Sequence, residues 1–107
     1  MLYDPCGYIT RLAHRGRLAS TPPDPFQDAE TRRLGLRILQ RVGSWGAFGI
    51  VDPIVGFGEA EDETRLRAAV DRALSAEFLV PQGPYNPHTC YTLTLDGALF
   101  LVRNQAA

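Results

Sequence analysis

The sequence predicts an α+β fold, and three observations carry that expectation. Two stretches, 28–45 and 63–78, repeat apolar residues at steps of three and four, the spacing of a helix with one buried face. The run CYTLTL, 90–95, alternates and is rich in β-prone residues. A turn-rich segment, PQGPYNPHT at 81–89, separates that run from a short apolar one at 78–80, as a loop between two strands would. The 107 residues fit one domain, and a 45% hydrophobic share is enough for a modest core.

In chain order, residues 8–18 (YITRLAHRGRL) place Ile9, Leu12 and Ala13 at helical spacing among Arg11, His14, Arg15 and Arg17. This segment fits a short helix or a basic arm. Three prolines in STPPDP, 20–25, then block a continuous helix and give an extended linker. Residues 1–26 are thus expected to be an N-terminal basic arm or dimerisation segment ending in a proline-rich linker, and residues 27–107 the main domain. In the stretch 28–45, Asp28 suits the N-cap, and Glu30 suits the positive end of the helix dipole. Leu34, Ile38, Val42 and Trp45 line the apolar arc, Leu36 and Leu39 widen it, and Arg33, Arg37 and Arg41 flank it.

Residues 46–58 (GAFGIVDPIVGFG) are apolar, with Phe48 and Phe57, like Trp45, read as core aromatics; Pro53 suits a first helical turn. The acidic run 59–63 opens the next helix, 63–78. Its inward stripe is Leu66, Ala69, Val70, Ala73 and Leu74, and its outer arc is Arg65, Arg67, Ala68, Asp71, Arg72 and Ser75. Arg67 and Asp71, four apart, suit an ion pair. After the strands, Asp96-Gly97 reads as a turn and 98–103 as a closing strand or helix.

Charge is uneven. All 11 basic residues are arginine, and the net charge is −1. Residues 1–50 hold seven arginines against four carboxylates, +3; residues 51–77 hold three against seven, −4. Nucleic-acid contact would have to come from local patches rather than from the whole chain. No apolar run is long enough to span a bilayer, and the N-terminus lacks the order of a secretory signal, so a cytoplasmic protein is expected. Cys6 and Cys90 are expected to be reduced thiols. His88 with Cys90, even joined by Cys6 or His14, matches no strong zinc spacing. There is no phosphate-binding glycine loop, no Ser-His-Asp arrangement and no HExxH, so neither enzyme activity nor a cofactor is expected.

The stretches AVDRALSAEFLV, 69–80, and YTLTLDGALFL, 91–101, resemble winged helix-turn-helix proteins of the MarR and PadR type. In those families a helix ends in a tight turn into the wing, and the returning strand ends in the phrase Y-x-L-T-x-x-G. Residues 76–80 occupy the first part, with Glu77 where a small residue or glycine is usual. Tyr91, Leu93, Thr94 and Gly97 match the second, with Thr94 able to cap the next turn or helix and Gly97 permitting close approach. The resemblance implies a three-helix core with a C-terminal β-hairpin wing.

It further implies that the helix 63–78 enters the major groove of double-stranded DNA, with Arg65, Arg67, Arg72 and Ser75 facing the bases. Tyr85 and His88 in the wing would donate to phosphate. From the residues themselves, Arg33, Arg37 and Arg41 form a second candidate phosphate patch, and Arg11, Arg15 and Arg17 suit a minor-groove arm. The expected function is that of a homodimeric transcriptional regulator. The alternative is a module that binds protein instead, which the acidic entry to that helix and a wing without arginine suit.

Overall fold

Residues 4–5, 7–16, 20–45, 62–82 and 90–105 are described in this computed structural model. In order they form α1 (Tyr8–Arg15), α2 (Ala29–Ser44), α3 (Glu63–Ser75), β1 (Leu79–Gln82), β2 (Cys90–Leu93) and α4 (Leu95–Gln105). The fold is α+β: four helices and one antiparallel strand pair among the described residues. The apolar stretch around Pro53, the segment 83–89 expected to be the wing, Cys6 and Arg17 lie outside them.

Each helix start is closed by an aspartate or a threonine. Asp28 caps α2, accepting the Thr31 N–H at 2.7 Å and the Thr31 hydroxyl at 3.1 Å. Asp62 caps α3 through the Thr64 N–H at 2.9 Å. Asp4 serves α1 from further upstream, accepting the N–H groups of Ile9 and Thr10 and the Thr10 hydroxyl. Each bond to a backbone N–H satisfies a donor that has no partner inside its own helix.

The end of α3 is a Schellman turn. Phe78 N–H donates to the Ala73 carbonyl at 2.8 Å and Glu77 N–H to the Leu74 carbonyl at 3.0 Å, with Glu77 left-handed at φ 62°. Helix α3 therefore stops three residues before the predicted end at 78. Thr94 joins this turn to α4: its N–H donates to the Phe78 carbonyl at 3.0 Å and its hydroxyl to the Glu77 carbonyl at 2.5 Å. The same hydroxyl accepts the Gly97 N–H at 3.1 Å and so caps α4. A Cβ on Gly97 would run into the Phe78 carbonyl oxygen and come within 2.8 Å of Leu93. The threonine and glycine of the Y-x-L-T-x-x-G phrase are thus two halves of one joint.

Three expectations are corrected, the first two by this joint. Asp96-Gly97 lies in the first turn of α4 and is not a turn between elements. The second strand stops at Leu93, because Thr94 begins the cap. The first strand continues through Pro81, opposite Tyr91 in the register Leu79↔Leu93, Val80↔Thr92, Pro81↔Tyr91, Gln82↔Cys90. Proline is tolerated there because, among the described residues, β1 pairs only with β2, and its other edge makes no ladder bonds to them.

The core draws on every helix. Leu34, Ile38, Leu39 and Val42 of α2 meet Leu66, Ala69 and Ala73 of α3, with Ile9 of α1 and Leu79 and Leu93 of the strands. Helix α4 is buried over five successive residues, 97–101, because α1 and α2 pack against it and Phe78 lies beside it. A helix apolar on all sides needs such a central position. Phe26, Phe78 and Phe100 pack edge-on or tilted at centroid distances of 5.0 to 6.3 Å and join the linker, the end of α3 and α4. Trp45 departs from expectation: it is the C-cap of α2 and is 54% exposed rather than in the core. No helix among the described residues is long and apolar enough to cross a membrane.

Candidate functional site

Helix α3 presents the most continuous exposed polar face among the predicted site residues. Leu66, Ala69 and Ala73 point inward, and α2 packs against the helix. At 100° per residue, Thr64, Ala68, Asp71 and Ser75 fall opposite that buried stripe. Thr64, Ala68 and Asp71 are exposed, as are Arg65, Arg67 and Arg72, and Ser75 closes the face at the helix end. Arg67 and Arg72 stand on the two shoulders of this ridge, and Arg65 lies at its edge beside α2.

The three arginines differ in their partners. Arg65 reaches Asp28, the N-cap of α2, at 3.5 Å. Arg67 donates to Glu63 at 3.1 Å, one turn back, rather than to Asp71 as the spacing suggested. Glu63 at the first turn answers the helix dipole and also offers the better i, i+4 order with arginine C-terminal to the acid. Arg72 makes no ion pair among the described residues. Asp28 meets Thr31 and Arg65 together. The Thr31 N–H, the Thr31 hydroxyl and the Arg65 guanidinium hold its carboxyl below the ordinary value near 3.8.

The remaining candidates lie on other helices. Arg33 and Arg37 lie on α2, and Arg33 is held by Glu30 at 2.5 Å. Arg41 is less exposed, and its Nε is buried without a hydrogen-bond partner. Arg15 is exposed at the end of α1, a helix whose Ile9 is fully buried, so it rides on a packed element. Arg17, Tyr85 and His88 fall outside the described residues. The described site residues therefore sit on three separate helices, and among them Arg65, Arg67, Arg72 and Ser75 share one helix face.

Asp28 is the participant that the sequence did not single out for the site. Its capping role was legible; its reach to Arg65 depends on how α2 and α3 pack, which no spacing encodes. Among the described residues no group of three or more His, Cys, Asp or Glu side chains could hold a metal ion. The thiol of Cys90 is buried in β2. Compared with family models, with curated proteins and with solved structures, the chain gives no match.

Proposed function

We propose that this chain is a winged helix-turn-helix protein that binds double-stranded DNA through α3, acts as a homodimer, regulates transcription and has no catalytic role. The observation that carries the reading is the exposed face of α3. It bears Arg65, Arg67, Arg72 and Ser75 on a helix anchored by its opposite side, and it leads through a tight turn into an antiparallel strand pair. A helix held that way can enter a major groove without disturbing the core. Doubling such a short reader across a two-fold site supplies the affinity that one copy lacks.

Binding of a fluorescent mixed-sequence duplex at low salt tests it. Replacing Arg65, Arg67 and Arg72 together by alanine is expected to abolish binding, and replacing Arg33 with Arg37 to weaken it less. A triple variant that binds as well as the parent overturns the assignment of α3.

A second reading has its own support. Trp45 exposes an indole, and Arg65 and Arg67 are both engaged by carboxylates. An exposed tryptophan beside near-neutral charge suits a protein partner. On that reading the chain binds no duplex at any salt concentration.

A further inference from the structure

We propose that Arg72 is the residue of α3 that reads a base, a guanine, while Arg65 and Arg67 hold phosphates without contributing sequence preference; this rests on the DNA reading above. The three guanidinium groups are not equivalent. Arg65 is tethered to Asp28 on the N-cap of α2 and Arg67 to Glu63 on the preceding turn. Each must give up its acid, or share it, before it can fork onto a base edge. Arg72 is exposed and has no such partner among the described residues. Its planar fork is available for the O6 and N7 acceptors of guanine.

Asp71 supports the same division. It is exposed on the outward ridge next to Arg72. The donor that suits Asp71 is the N4 amino group of cytosine, which places α3 over a segment containing G·C pairs. Arg65 and Arg67 must leave Asp28 and Glu63 to meet the backbone, and a phosphate contact made that way fixes position without reading sequence.

Selection from a randomised duplex library by the full chain tests the division. The parent is expected to recover one consistently selected guanine. Arg72→Gln is expected to change that guanine to adenine, because the glutamine amide matches adenine N6 and N7. Arg72→Lys keeps the charge, and so the salt dependence, but is expected to lose about tenfold of the preference for guanine, since lysine lacks the fork. Arg65→Ala and Arg67→Ala are expected to keep the selected sequence and to weaken binding to all sequences alike. An unchanged guanine with Arg72→Gln, or a changed base with Arg65→Ala or Arg67→Ala, overturns the division while leaving DNA binding in place. Failure of the parent to retain any duplex at about 50 mM salt overturns the DNA reading, and the division with it.

Discussion

Glu77 carries a backbone cost that a glycine would remove. At φ 62° a residue with a Cβ crowds its own carbonyl, by about 1 kcal/mol or more. Glu77 is exposed, and the Schellman turn uses only its backbone. Glu77→Gly is therefore expected to raise stability by about 1 kcal/mol, read as a higher urea midpoint. Gly97 is the opposite case. Its Cβ would meet a backbone carbonyl, which cannot rotate away as a side chain can, so Gly97→Ala is expected to cost about 1–3 kcal/mol by the same measurement. At Asp28 the effect is one of pH. The folded carboxyl titrates below its ordinary value near 3.8, so its contribution to stability is complete above that value. It is lost as the pH falls through the lower, folded value. Asp28→Asn is expected to flatten that acid-side loss in pH-dependent unfolding, whereas an unchanged acid limb would show the carboxylate to be uncoupled from folding.

Among elements, the tie between the linker, α3 and α4 is aromatic. Phe78 is 1% exposed and packs against both Phe26 and Phe100, so Phe78→Ala is expected to cost about 3–5 kcal/mol in denaturant unfolding. Trp45→Ala is expected to stay within about 0.5 kcal/mol, because the side chain is exposed at the helix end. The same region of the molecule shows what a sequence can reveal. The inward stripes of α2 and α3 were legible because helical period and burial coincide at Leu34, Ile38, Leu66, Ala69 and Ala73. Trp45 continues that period along the chain, but α2 stops at Ser44 and the next position turns outward. Phe26 follows a run of prolines and has no periodic neighbours, so its place in the core was not legible. Asp96-Gly97 has the composition of a turn, yet Thr94 caps a helix through it, and that cap is tied to Glu77, 17 residues earlier. At the candidate site, the outer arc of α3 was legible as a face. Which arginine has which acid was not, because Asp28 lies at the head of another helix and Glu63 competes with Asp71.

For the whole molecule, a net charge of −1 means that the proposed duplex binding would rest on local arginines, and its salt dependence would report how many of them take part. Residues 97–101 are buried within a single chain and so do not offer a surface to a second copy. The most direct test of α3 as a DNA-binding face is the affinity for mixed-sequence duplex measured across a salt series. The parent is expected to lose affinity steeply as salt rises. Alanine at Arg65 and Arg67, the two residues assigned to phosphates, is expected to reduce the logarithmic slope by up to about 2, roughly one for each phosphate that is no longer neutralised. A slope that these two substitutions leave unchanged, or a parent chain that does not bind duplex at the lowest salt, would contradict it.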